Sequence, residues 1–496
     1  MSDNQNDVTG NFLMSGVEGL DEILRGGFTR DRIYLIEGPP GAGKTTLALQ
    51  FLVEGIKRSE SSLYITLSET ATELRTVAQS HGLCMDGIHI HEILPDAQVL
   101  DPEEQYTIFH PGDIEMGSTT KEILSLVEEL RPTRVVLDSL SELQLLASST
   151  LLYRRQVLAL KQFFAANSCT TLLLDDRTIS NGDLQVRSIA HGVVSLERVA
   201  TEYGGTRRRL EIAKYRGIAF REGMHDYRIQ RGGLIVFPRL VAAESRAVQE
   251  RRQFPSGLGE LDSLLGGGIE IGTSTLISGP PGTGKSTLSA QFVHACLQDR
   301  GQAAIYLFEE SAPNYLSRAE DVGIKLRSHL ESGNLILQQV DPAQLSPGEF
   351  IQNVCRVADA GAKVIVIDSL NGFLHAMPNE ELLSTHVHEL LTYLGQRGVV
   401  TLMIGVQQGM LAGSMKPAFE VSYLADNVVM LRYFEAMGEV RQAISIFKKR
   451  GSRHERTIRE FSIAESGIKI GPVLRQFRGI LTGTPTFSGQ LDKADV

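Results

Sequence analysis

Two lysines, Lys44 and Lys285, each follow a run of glycines and precede a hydroxyl residue. GPPGAGKTT spans Gly38–Thr46 and GPPGTGKST spans Gly279–Thr287. Both fit G-x-x-x-x-G-K-[ST], sit directly after an apolar run that reads as a strand, and open a segment that reads as a helix, which is the context of a phosphate-binding P-loop. Gly38, Gly41 and Gly43, with Gly279, Gly282 and Gly284, let backbone N–H groups converge on phosphate oxygens without a side chain in the way. The helix N-terminus adds its partial positive charge. Lys44 and Lys285 would reach the β and γ phosphates of ATP, Thr45 and Ser286 would ligate Mg²⁺, and Thr46 and Thr287 belong to the same cradle. A plain glycine-rich turn before a helix is the alternative, and it does not account for two matches at equivalent places.

Carboxylates follow at strand ends. RVVLDS places Asp138, and VIVIDS places Asp368, after four apolar residues. An aspartate there can hold Mg²⁺ through its water shell. YITLSET supplies Glu69, and IYLFEES supplies Glu309 and Glu310. A glutamate near the γ phosphate can orient an attacking water or hydroxyl and take its proton. Glu310 aligns with Glu69, whereas Ser68 stands where the second copy has Glu309. Late in each copy, LEIAKYRGI carries Lys214 and Arg216, and ISIFKKRGS carries Lys448 and Arg450. Two residues apart on a strand, such cations project from one face and could neutralise charge on a γ phosphate. Their distance along the chain from their own P-loop suggests supply from a neighbouring copy, hence a ring or filament.

The elements that must position these groups come as a duplication. SGVEGLDEILRGGF from Ser15 and SGLGELDSLLGGGI from Ser256 align without gaps, offset by the same 241 residues that separate the lysines. A period this long implies two whole domains rather than solenoid units. Near-continuous apolar strands (RIYLIEG, SSLYITL, TRVVLDS and TTLLLDD; then STLISG, AAIYLFE, KVIVIDS and VVTLMIG) alternate with helical segments such as TTKEILSLVEEL. That alternation predicts an α/β fold of two tandem P-loop domains, each a mainly parallel sheet flanked by helices, with ligands at the carboxyl ends of the strands. The expected boundaries are 1–243 and 244–481, with a short tail at 482–496.

Bulk properties narrow the class. A chain of 496 residues, 42% hydrophobic and 22% charged, is long enough for two full cores and ordinary for folded domains. A net charge of −10 argues against a surface built to coat nucleic acid. The four cysteines are scattered singly, with no C-x-x-C pair. No apolar run is long enough to cross a bilayer, and the polar N-terminus is unlike a signal peptide, so no membrane association and a cytoplasmic location are expected.

Together these residues resemble the KaiC family, the double-domain branch of RecA-like P-loop ATPases. The tandem P-loops, the FEES segment, the K-x-R-G elements and GEVRQAISIFKKRGSRHERTIREFSI carry the resemblance, which covers nearly the whole chain. It implies a homohexameric double ring with ATP at subunit interfaces, a slow ATPase in the first half, and an autokinase and autophosphatase in the second, in a signalling or clock protein. It also implies phosphoacceptors at Ser422 and Tyr423, where the family's Ser-Thr pair has become Ser-Tyr. The ending after GTPT is short, so control by KaiA is not expected, while a KaiB-like partner fits. A second reading of the same core is a nucleic-acid-dependent ATPase of recombination or repair. The chain shows no zinc finger, helix-turn-helix or aromatic-rich basic loop to support it, and the run Arg207–Arg209 is its best candidate contact.

Overall fold

The computed structural model describes residues 11–93, 111–176, 183–200, 204–244, 252–341, 343–375, 383–406, 423–481 and 486–487. The chain divides into two units, 1–239 and 240–496.

In the first unit a nine-stranded sheet carries the site. Its strands are β1 (Ile33–Gly38), β2 (Ser62–Thr66), β3 (Ile88–Glu92), β4 (Arg134–Asp138), β5 (Thr170–Asp176), β6 (Gly192–Val199), β7 (Arg207–Tyr215), β8 (Met224–Gln230) and β9 (Gly233–Phe237). Their spatial order is β3-β2-β4-β5-β1-β6-β7-β8-β9. From β3 to β6 every neighbouring pair is parallel, and β7 to β9 add an antiparallel extension. Every residue of β1 is buried, as a strand covered on both faces requires. Alternation decides which core each side chain enters: Tyr34 and Ile36 join the cluster around Phe51 and Leu172, while Ile33 and Leu35 join the one around Tyr153 and Phe164. The helices of this unit include α1 (Lys44–Lys57), which leads out of the P-loop, α2 (Thr150–Ala166) and α3 (Asp183–Ile189).

The second unit repeats the plan with β10 (Ser274–Gly279), β11 (Gln302–Leu307), β12 (Leu335–Gln339), β13 (Ala362–Asp368), β14 (Val400–Val406), β15 (Asn427–Ala436), β16 (Glu439–Lys449), β17 (Ile458–Ala464) and β18 (Gly467–Val473). The order β12-β11-β13-β14-β10-β15-β16-β17-β18 is that of the first sheet, strand for strand. Its P-loop helix is α4 (Lys285–Gln298). These are two mainly parallel, helix-flanked sheets, the RecA-like arrangement expected from the sequence. The edge strands β3 and β12 and the antiparallel extensions complete sheets of which the apolar runs showed only the middle.

Candidate nucleotide sites

Each P-loop leaves its strand at the centre of the parallel region and enters its helix through a left-handed glycine, Gly43 (φ 99°) and Gly284 (φ 86°). A Cβ at Gly43 would lie 2.6 Å from Ile229 Cδ1, and one at Gly284 would press still closer on Ile463 Cδ1, so both φ and space demand glycine. Neither helix has a side-chain cap. Their first N–H groups are therefore left to an anion.

In the first unit Lys44 is buried, donates to the carbonyl of Gly38 at 2.8 Å, and forms an ion pair with Asp176. Asp138, at the end of β4, accepts a hydrogen bond at 2.5 Å from the Tyr64 hydroxyl, and the nearby Thr45 hydroxyl favours its ionised form. Burial pushes the Asp138 carboxyl above its ordinary range. Glu69 follows β2; burial, then the nearby Asp138 charge, raise its carboxyl too, and its Oε2 is buried without a hydrogen-bond partner. Thr46 is buried one residue into the helix beyond Thr45.

In the second unit Lys285 Nζ donates to the carbonyl of Pro280 at 2.7 Å. Burial lowers its pKa to about 8, against the opposing pull of Asp368 and Glu309. Burial raises the pKa of Asp368 against the opposing effect of the nearby Ser286 hydroxyl, and its Oδ2 is buried without a hydrogen-bond partner. The two glutamates part company: Glu309 accepts from Ser369 Oγ at 2.9 Å, whereas Glu310 is paired with Arg318 at 2.6 Å. Alignment of the repeats matches Glu69 with Glu310; the Glu309 charge, after that of Asp368, acts on Lys285, while Glu310 and then Glu309 act on Asp368. Thr287 is buried as Thr46 is.

The four cations of the K-x-R elements lie elsewhere. Lys214 pairs in register with Val193, and Val193 with Leu35, three residues before Gly38. Lys448 likewise stands level with Val428 and Leu276, three residues before Gly279. Three residues of strand are about 10 Å. The heads turn further from the P-loop: Lys214 and Arg216 donate to carbonyls just before β6, and Lys448 and Arg450 to the carbonyls of Ala425 and Tyr423 just before β15. They occupy the end of the sheet opposite their own P-loop. Tyr423 is exposed, and Ser422 lies outside the described residues.

Several contacts escaped the sequence reading. Asp176 pairs with Gly38 across β5 and β1, a register that brings it to the lysine; its position at a strand end beside β1 was the available signal. Tyr64, Arg318 and Arg198 gave no signal, since each meets its partner only through the fold. Arg198 Nη1 stands where a Cβ on Gly41 would be 3.3 Å away, and Tyr433 takes that place over Gly282. Of the arginine run, Arg209 lies 3.7 Å from Asp226, and Arg208 faces Arg198 across β6 and β7.

The donor set fits a triphosphate with a divalent cation. In each unit the P-loop hydroxyl lies close enough to the strand-end aspartate to favour its ionised form, and Glu69 Oε2 and Asp368 Oδ2 are buried without a hydrogen-bond partner. Mg²⁺ is typically held by one or two carboxylates plus phosphates and water, so a dedicated protein cage is not needed. Among the described residues no group of three or more His, Cys, Asp or Glu could hold a metal alone. No described helix is long and apolar enough to cross a membrane.

Fold and sites define a tandem RecA-like P-loop ATPase. The family model of the KaiC ATPase matches residues 13–241 and again 254–475, and the chain belongs to that family. Similar proteins include the circadian clock protein KaiC3 of Synechocystis, 27% identical over 96% of this chain and 95% of the relative. The circadian clock oscillator protein KaiC of Acaryochloris marina is 26% identical over 98% and 93%. That of Synechococcus elongatus is 27% identical over 95% and 91%.

Proposed function

We propose that the chain is a Mg²⁺-dependent ATPase that assembles as a homohexamer, with each nucleotide held by the P-loop of one copy and met by the K-x-R cations of the next, and that its second unit is an autokinase. The observation that carries this reading is the opposite placement of the two motifs: every P-loop has its hydroxyl–aspartate pair, and every K-x-R element lies at the far end of the same sheet. A ring satisfies both at once.

Bound ATP with Mg²⁺ supplies the transferable phosphoryl group. Thr45 with Asp138, and Ser286 with Asp368, position the metal, while Lys44 and Lys285 hold the phosphates. In the first unit Glu69 orients a water and accepts its proton as the new P–O bond forms and ADP leaves. In the second, Glu309 does the same for a hydroxyl; Ser369 steadies it, and Arg318 holds Glu310 in an ion pair. The resemblance to the family favours Ser422, with Tyr423 beside it, as acceptor. A KaiB-like protein is the partner the family suggests; nucleic acid is not.

Sizing the protein with and without ATP and Mg²⁺, followed by intact-mass measurement, tests the reading. The expected outcome is a sixfold assembly with nucleotide and an added phosphate on the second unit. A monomer at saturating nucleotide, or one nucleotide per chain, refutes it.

A further inference from the structure

Three cationic heads gather over four consecutive carbonyls in the first unit. Lys161 Nζ, from α2, donates to the carbonyl of Ile189 at 2.7 Å. Lys214 Nζ, from β7, donates to those of Arg187, Ser188 and Ala190 at 2.6, 3.1 and 2.8 Å. Arg216 Nη2 donates to Ser188 at 2.7 Å. These carbonyls end α3 and carry partial negative charge, for which one cation is an adequate cap. Here there are three. Among the described residues none of them forms an ion pair with a carboxylate. Burial first, then Arg216, lowers the pKa of both Lys161 and Lys214, with Arg32 adding to the effect on Lys161 and Lys161 to that on Lys214.

His191 stands within the cluster, its Nε2 buried without a hydrogen-bond partner. Burial first, then Arg32, Arg216, Lys161 and Lys214, push its pKa down to about 4, so it adds no charge near neutral pH. The second unit differs at the equivalent place. Asp426 precedes β15 as His191 precedes β6; its carboxylate lies 3.6 Å from Arg450 Nη1 and accepts from Ser274 N and Oγ at 3.0 Å. Thus the second unit's element keeps a carboxylate beside its cations. The first has an extra cation and a neutral ring.

Uncompensated like charges a few ångströms apart oppose folding of the isolated chain, and a polyanion from outside would relieve them. We infer that Lys161 is a third phosphate-directed cation of the first unit, which with Lys214 and Arg216 faces the terminal phosphates of the nucleotide held by Lys44 of an adjacent copy. This rests on the proposed ring. Enclosed between subunits, such a charge is worth far more to a phosphoryl transition state than in water.

The test uses the full chain carrying Lys285→Ala, so that turnover reports the first unit. Lys161→Gln keeps an N–H donor for the Ile189 carbonyl and removes the charge; Lys161→Arg keeps both. The expected result is a kcat about tenfold lower for Lys161→Gln, near-parental turnover for Lys161→Arg, and an unchanged melting temperature for each. Mixing Lys161→Gln subunits with Lys44→Ala subunits should restore turnover above the sum of the two alone, because mixed interfaces join an intact P-loop to an intact cation cluster. Full turnover in Lys161→Gln, with a loss in Lys214→Met, would reduce Lys161 to a helix cap and overturn the inference while leaving the ring intact. Reduced turnover with no recovery on mixing would also overturn it, because Lys161 would then act within its own subunit. If Lys214→Met is equally silent and nucleotide drives no assembly, the ring reading itself has failed.

Discussion

Ser369 Oγ donates a hydrogen bond to Glu309 at 2.9 Å. The donor is the residue after the strand-end Asp368, so the candidate base is tied to the candidate metal-binding strand, whereas Glu310 is ion-paired with Arg318. Glu309→Gln should therefore lower phosphate incorporation into the second unit by about 100-fold or more, and Glu310→Gln by much less. Labelled ATP and the Lys44→Ala background read this directly; equal losses would refute the division of roles.

Lys285 offers a pH signature. Its free pocket holds the amine near pKa 8 because burial disfavours the charged form, and a bound triphosphate would restore the charge. ATP binding to the second unit should then take up a proton above pH 8 and weaken as pH rises further. Calorimetry of the Lys44→Ala variant in buffers of different ionisation enthalpy would measure the uptake. An affinity flat from pH 7 to pH 9.5 would contradict it.

Asp176 is ion-paired with Lys44 in the first unit and would compete with a phosphate for it, and Val406 takes its register position in the second. Asp176→Asn should tighten nucleotide binding to the first unit by about fivefold, in line with the roughly 1 kcal/mol of a partly exposed pair. Titration of a fluorescent ATP analogue into the Lys285→Ala background provides the measurement.

Ser422→Ala should remove the principal mass increment of about 80 Da per chain expected on incubation with ATP, that of one phosphoryl group, and Lys285→Ala should abolish it. Tyr423→Phe should leave most of it. Intact-mass spectra decide among these, and an undiminished increment in Ser422→Ala would move the acceptor elsewhere.

Arg134 is fully buried at the start of β4, stacked 4.6 Å over Phe51 and hydrogen-bonded to Glu60 at 2.7 Å and to the carbonyls of Met14 and Phe51. Arg134→Ala leaves Glu60 with Arg30 alone, at 2.8 Å, and strips two carbonyls of a charged donor. It should cost about 3 kcal/mol, lowering the melting temperature of the first unit by roughly 6–12 °C, as scanning calorimetry would show.

Much of this was legible beforehand because it is written in local pattern. The glycine spacing of the P-loops, the apolar strands ending in Asp138 and Asp368, and the 241-residue offset are all short-range or self-referential features. Backbone sterics and sheet burial translate them into a fold with little ambiguity. The edge strands β3 and β12 stand apart from the near-continuous apolar runs of the sheet centre, since no residue of β3 and only Leu335 of β12 is fully buried.

By itself, then, the sequence determined the family, the two RecA-like units and which residues line each P-loop, because those depend on residue type at fixed spacing. Only the tertiary structure decided that Glu309 meets Ser369 while Glu310 meets Arg318, that Asp176 reaches Lys44, and that Lys161, Lys214 and Arg216 converge at the sheet end opposite their own P-loop. Those relations depend on strand register and on side chains meeting from segments tens to hundreds of residues apart, and no linear spacing encodes them.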